Sequence, residues 1–77
     1  MRIRVVLHSY FREKLPPENR GRAEIALPEG STAADLFRLL GLPAGAAWGI
    51  NGRLERDLNT PLADGDEVRV FRQGAGG

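Results

Sequence analysis

Alternation of apolar and polar positions predicts three strands. The first strand runs over residues 2–8, the second over residues 22–27 and the last over residues 67–72. A period of two places every second side chain on one face of a sheet. The side chains predicted to face the core are Ile3, Val5, Leu7, Ala23, Ile25, Leu27, Val68 and Val70. The connection between the first two strands is too short for a long crossover, which favours antiparallel pairing.

After the second strand, the spacing of apolar residues changes to that of a helix. The apolar stripe of this predicted helix consists of Ala33, Leu36, Phe37 and Leu40. Ser31 or Thr32 caps the helix, and Asp35 stands three residues after Thr32, as in a capping box. Gly41 is placed to end the helix in the left-handed conformation.

The remaining segments predict short elements and turns. Residues 9–21 indicate a short helical turn, stopped by Pro16-Pro17, and then a polar loop. Residues 48–50 and 53–55 flank Asn51-Gly52, the preferred pair for a two-residue hairpin turn. Residues 57–63 are predicted to be irregular, with Leu58 and Leu62 anchoring the segment. The order of strand, strand, helix, short strands and strand predicts one α+β domain of two layers.

Composition narrows the function classes. The 77 residues carry a formal net charge of +1, without the excess of Lys and Arg that nucleic-acid binding needs. The absence of cysteine excludes disulfides and thiolate-based zinc sites. No apolar run approaches the ~20 residues that cross a bilayer. The chain starts directly in a strand pattern, so we expect no signal peptide, no membrane and a cytoplasmic location.

No set of residues inside the domain predicts catalysis. His8 is the only histidine, and no cysteine or second histidine exists to share a metal with it. The acidic run at residues 64–67 lacks the spacing of a calcium loop, and a turn is the better interpretation. We therefore expect no metal, no bound cofactor and no enzymatic activity from this chain alone.

The end of the chain, "GAGG", is the strongest candidate for chemistry. We expect a domain over residues 1–73 and a flexible tail of Gly74, Ala75, Gly76 and Gly77. Glycine lacks Cβ, so the backbone can enter a narrow active site closely. Taken alone, such an ending is more often a disordered terminus without function.

In combination, the order of elements, the stretch "WGINGRLERDLNTPLADGDEVRVF" and the terminal "GAGG" resemble the MoaD/ThiS family of ubiquitin-like sulfur carriers. The resemblance covers nearly the whole chain. It implies a β-grasp fold, in which a mixed sheet is crossed by one main helix. It also implies that a partner enzyme similar to ubiquitin-activating enzymes (MoeB/ThiF-like) uses ATP to adenylate Gly77. A thiocarboxylate then forms there and supplies sulfur to an acceptor enzyme.

The resemblance leaves several acceptors open. The long segment with "YFREKL" is similar to MoaD, which implies the large subunit of molybdopterin synthase (MoaE-like) as the acceptor. MoaD-like tails commonly carry Pro-Pro after the final Phe, whereas this chain has Arg72-Gln73-Gly74. Alternatives are a ThiS-type carrier serving thiazole synthase, or a carrier for another sulfur metabolite or a tungsten-bearing pterin. A ubiquitin-like modifier and a plain interaction module remain hypotheses of a different class.

Strand alternation also predicts a docking patch beside the tail. If the core positions are as assigned, Val6 and Phe71 face outward on neighbouring strands, rimmed by Arg4, Arg69 and Arg72. Exposed apolar patches with a polar rim often mark binding sites. The alternative is that Phe71 folds over the end of the sheet and the arginines are only solvated.

Overall fold

The computed structural model describes residues 1–72, which form a single sheet with one α-helix and two short 3-10 helices. The strands are β1 (Arg2–Leu7), β2 (Arg22–Ala26), β3 (Ala47–Ile50), β4 (Arg53–Glu55) and β5 (Glu67–Phe71). The helix α1 spans Ala33–Leu40, and the 3-10 helices span Ser9–Lys14 and Pro17–Asn19. The second 3-10 helix lies where the sequence predicted only a polar loop, because Pro17 fixes a backbone angle suited to the first turn of a helix.

The five strands lie in the order β2-β1-β5-β3-β4. Strands β1 and β2 pair antiparallel, as predicted, while β1 and β5 pair parallel. Strand β3 lies antiparallel to both β5 and β4, so the sheet is mixed. One main helix on one face of a mixed sheet confirms the α+β, β-grasp prediction.

The core lies between α1 and one face of the sheet, which we call the covered face. The alternate residues of β1 and β5 that point to this face are all buried, as the alternation predicted. Phe37 of α1 meets Trp48 of β3 edge to face, with ring centroids 5.9 Å apart, a favourable aromatic geometry. In the irregular segment after β4, Leu62 is buried and Leu58 packs against the core.

The ends of α1 follow the sequence signals. The Thr32 hydroxyl accepts a hydrogen bond from the Asp35 backbone N–H, and the Asp35 carboxylate accepts one from the Thr32 N–H at 2.8 Å. This capping box lowers the pKa of Asp35, chiefly through the Thr32 backbone N–H. Gly41 ends the helix with a φ of 71°.

The β3–β4 hairpin also matches its prediction. Asn51 and Gly52 have φ values of 51° and 83°, so both residues of the turn are left-handed, as a type I′ turn requires. The Asn51 side chain reaches β5, where its Oδ1 accepts from the Glu67 N–H at 2.9 Å. The turn thereby fixes the hairpin against the central strand.

Neither a metal site nor a membrane span is found in the described part of the chain. Residues 1–72 contain no group of three His, Cys, Asp or Glu side chains that could hold a metal ion. The carboxylates of the acidic turn instead accept hydrogen bonds, Asp64 from the Arg2 N–H and Asp66 from the Ala63 N–H. No helix within these residues is long and apolar enough to cross a bilayer.

Candidate functional site

The strongest candidate site lies where β5 ends and the chain continues toward its terminus. Gly74, Ala75, Gly76 and Gly77 fall outside the described residues, so the predictions made for them stay predictions. The last described residue, Arg72, is exposed and follows β5 directly. Because β1 and β5 are parallel, their carboxyl ends lie at the same edge of the sheet, joined by a hydrogen bond from the His8 N–H to the Val70 carbonyl at 2.9 Å.

The predicted docking residues lie on the face opposite α1, which we call the open face. Strand register pairs Val6 with Arg69, and Arg4 with Glu67, across β1 and β5. Directly paired residues project to the same side of a sheet. Phe71 follows Arg69 by two residues on β5 and shares this face. The structure therefore brings Arg4, Val6, Arg69 and Phe71 to one face, as the alternation predicted.

The prediction that Val6 is exposed is wrong. Its exposed fraction is 5%, although it lies on the open face. Its register partners on the two neighbouring strands are Arg22 and Arg69, whose long side chains flank it from both sides. Arginine stems commonly cover apolar surface while the charged head stays in water. Val6 therefore lies beneath the open face and does not form an apolar centre for docking.

The carboxylate of Glu67 lies among the arginines of the open face. Glu67 accepts a hydrogen bond from Arg69 Nε at 2.9 Å. This bond is the main cause that lowers the pKa of Glu67, and the charges of Arg69, Arg4 and Arg22 lower it further. Arg69 is thus bonded within the molecule, and the face is a mixed charged surface.

Phe71 lies at an apolar cleft on the side of β5 that pairs with β3. It is half-buried and lines a cleft of about 410 Å³ together with Trp48, Leu54 and the loop that precedes β3. Leu54 has an exposed fraction of 80%, the largest among the large hydrophobic side chains described as exposed. An exposed leucine beside a half-buried aromatic ring is a typical apolar contact point for a partner. We call this feature the apolar cleft.

Leu54 is the site residue that the sequence reasoning missed, although the sequence carried a signal for it. A two-residue turn at Asn51-Gly52 fixes the register of the hairpin, pairing Ile50 with Arg53 and Gly49 with Leu54. Ile50 faces the core, so Gly49 and its partner Leu54 must face the open side. The exposure of Leu54 then follows from the position of β4, a short strand at the edge of the sheet that residues 1–72 form.

Comparison with known proteins identifies relatives of this chain. A family model described as "ThiS family" matches residues 10–77. Comparison with curated proteins gave no match. One similar structure is the protein-protein complex of subunits 1 and 2 of molybdopterin-converting factor from Helicobacter pylori. A chain of that complex has 24% sequence identity to this chain and a TM-score of 0.67, and the match covers 100% of both chains.

Two further similar structures are of small archaeal modifier protein 1 from Haloferax volcanii. One is 18% identical with a TM-score of 0.76 and covers 100% of both chains. The other is 16% identical with a TM-score of 0.74, covering 92% of this chain and 95% of the other. At these identities the three structures show the fold alone, and they agree with the β-grasp assignment.

Proposed function

Since the chain belongs to the ThiS family of ubiquitin-like sulfur carriers, we propose that it carries sulfur as a thiocarboxylate on Gly77. The observation that carries this proposal is the extent of the family match, which runs through Gly76 and Gly77. An ending with little side-chain bulk, following a β-grasp domain, supports the same reading. The terminal carboxylate is then the substrate of partner enzymes, and the domain presents it.

The chemistry requires activation of that carboxylate. Its oxygen attacks the α-phosphorus of ATP in the partner enzyme, forming an acyl-adenylate and releasing pyrophosphate. A sulfide-level nucleophile then adds to the carbonyl carbon, the C–O bond to AMP breaks, and AMP leaves with the electron pair. The product has sulfur in place of one carboxylate oxygen. ATP belongs to the partner, and this chain supplies the electrophilic carbon.

The domain contributes reach and docking. Five residues follow Arg72 and can span at most about 17 Å when extended. An enzyme that holds Gly77 must therefore contact the end of the sheet that carries Phe71 and Arg72. We propose that the apolar cleft, with Phe71 and Leu54, forms the centre of that contact, and that Arg69 and Arg72 lie beside it, whereas Arg4 pairs with Glu67 at the other end of β5.

We propose molybdopterin synthesis as the pathway, with a MoeB/ThiF-like adenylating enzyme and a MoaE-like acceptor. The support is the fold likeness to a molybdopterin-converting factor subunit that was solved with its partner subunit. Sulfur delivery to thiazole synthase is the alternative within the family. The likeness to small archaeal modifier protein 1 favours a second candidate function, attachment to other proteins as a modifier.

Intact-mass measurement tests the carrier function. The full chain is incubated with the adenylating enzyme of the same genome, ATP and sulfide. We expect a mass increase that corresponds to sulfur replacing one oxygen, and none for a chain that lacks Gly77 or for Gly77→Ala. Equal melting temperatures of the three chains would show that the loss is chemical and not a folding defect. Normal adenylation of the chain lacking Gly77 would refute the proposal.

Two additional measurements separate the alternatives. A modifier would appear in cells as higher-mass conjugates that persist after denaturation, whereas a carrier would appear as the free thiocarboxylate. Supplying the thiocarboxylate to the purified MoaE-like subunit or to thiazole synthase, each with its own small-molecule substrate, identifies the acceptor. Only the true acceptor transfers the sulfur to its substrate while an oxygen from water or from that substrate restores the carboxylate of the chain.

A further inference from the structure

A second concave surface lies between the two 3-10 helices. It encloses about 400 Å³ and is lined by Arg12, Glu13, Leu15, Pro17, Arg20 and Gly21. We call it the basic pocket, because it holds two guanidinium groups and one carboxylate. It is separate from the apolar cleft, which is built by β3, β4 and the end of β5.

The backbone around the basic pocket is held in place by its own hydrogen bonds. Gly21 has a φ of 78°, and a Cβ at this position would lie 2.5 Å from the Leu7 carbonyl oxygen, so only glycine fits. The same site would lie 3.0 Å from Arg12 Cγ, which shows that the Arg12 stem packs against Gly21. Arg20 is itself left-handed, with its N–H bonded to the Pro17 carbonyl at 3.1 Å. The Arg12 stem and the bonded backbone of Arg20 thus meet at one glycine.

The charges of the pocket are not neutralised within the described chain. In residues 1–72, neither Arg12 nor Arg20 has a carboxylate oxygen within 4 Å, and Glu13 does not reach them. Arg69 on the open face differs, because it is bonded to Glu67. Residues 9–22 hold four cations and two anions, a surplus of two, whereas the whole chain has a net charge of +1. Positive charge is therefore concentrated at this segment.

The basic pocket lies at the edge of the sheet from which the chain continues to Gly77. The Gly21 carbonyl accepts a hydrogen bond from the Leu7 N–H, and Leu7 is in register with Val70 of β5. Two strand spacings, about 10 Å, thus separate Gly21 from the end of β5. Five extended residues after Arg72 span at most about 17 Å, so an enzyme that holds Gly77 lies within reach of both this pocket and the apolar cleft.

We propose that the basic pocket binds a carboxylate side chain of the enzyme that adenylates Gly77. The inference rests on the proposed function, because it requires such an enzyme. Paired guanidinium groups bind a carboxylate through charge-assisted hydrogen bonds, and the anchored backbone lowers the conformational cost of binding. The basic pocket thus fixes the orientation of the domain on the enzyme, whereas the apolar cleft supplies most of the buried contact area.

Calorimetric titration of the adenylating enzyme with charge-reversal variants tests this pocket. We expect Arg12→Glu with Arg20→Glu to weaken binding by about tenfold or more and to flatten its dependence on salt. The matched control for either single reversal, Arg12→Glu or Arg20→Glu, is Arg53→Glu, an exposed arginine beside the Asn51-Gly52 turn, at the opposite end of the hairpin from Phe71. We expect its affinity to stay within about twofold of the parent.

Three results distinguish the possible outcomes. If the double variant binds with the affinity and salt dependence of the parent, the proposed role of the basic pocket is overturned. The carrier function still stands in that case, provided that the parent chain is adenylated. Absence of adenylation of the parent itself would refute the carrier function. If the double variant does not fold, Arg12→Gln and Arg20→Gln replace it, and unchanged guanidinium NMR signals of the parent on complex formation would overturn the proposal.

Discussion

The two faces of the sheet are made by alternate residues of the same strands, yet they differ in almost every physical property. On the covered face, Ile3, Val68 and Val70 have no exposed surface. On the open face, the intervening positions of β1 and β5 include Arg4, Glu67 and Arg69, which remain accessible. One face is therefore constrained by close packing and the other by contact with water. Substitution at neighbouring positions should separate stability from binding.

The largest expected difference concerns two phenylalanines. Phe37 is buried beneath the sheet, so Phe37→Ala should lower the free energy of unfolding by about 3–5 kcal/mol. Phe71 is half-buried at the apolar cleft, so Phe71→Ala should cost about 1 kcal/mol of stability. The same variant should weaken binding of the adenylating enzyme by about 2 kcal/mol. Denaturant unfolding and titration measure the two quantities, and unfolding of the domain by Phe71→Ala would place that ring in the core.

Adjacent valines give a closer comparison, because the chemical change is identical. Val5 lies on the covered face and Val6 on the open face, with exposed fractions of 1% and 5%. Val5→Ala leaves a cavity that the packed core cannot fill and should cost about 2–3 kcal/mol. Val6→Ala should cost about 1 kcal/mol, because flexible arginine side chains can settle into the space. Equal losses in denaturant unfolding would show that the open face is packed as rigidly as the core.

The smallest effect concerns charge on the open face. The hydrogen bond from Arg69 lowers the pKa of Glu67 below its usual value of 4.5. A carboxyl with a lowered folded pKa stabilises the fold above its unfolded pKa, and this contribution is lost as pH falls through the folded value. Glu67→Gln lacks the titration, so its melting temperature should fall less steeply than that of the parent below pH 4.5. The same pH dependence of the two melting temperatures would show that the Glu67 carboxylate adds no pH-dependent stability.

The sequence predicted the elements of this fold because their signals are local. Alternation in β1 and β5, the Thr32 capping box and the Asn51-Gly52 turn each depend on residues within one segment. The burial of Val6 was not predictable in this way, because Arg22 and Arg69 reach it from other strands. The basic pocket was not predictable either. It depends on a left-handed backbone at Arg20, a conformation that is uncommon for arginine.

The central position of β5 has a consequence for folding. Without β5, the remaining strands form two separate ribbons, β2–β1 and β3–β4, and isolated two-stranded ribbons are marginally stable in water. Joining them requires Val5 to meet Val68, a contact between residues far apart in the chain. Such non-local closure loses much chain entropy before native contacts compensate, which slows folding. The strand that precedes the terminal glycines in the sequence is therefore also the strand whose arrival completes the domain, so a chain without a docked β5 would lack the apolar cleft that Phe71 lines.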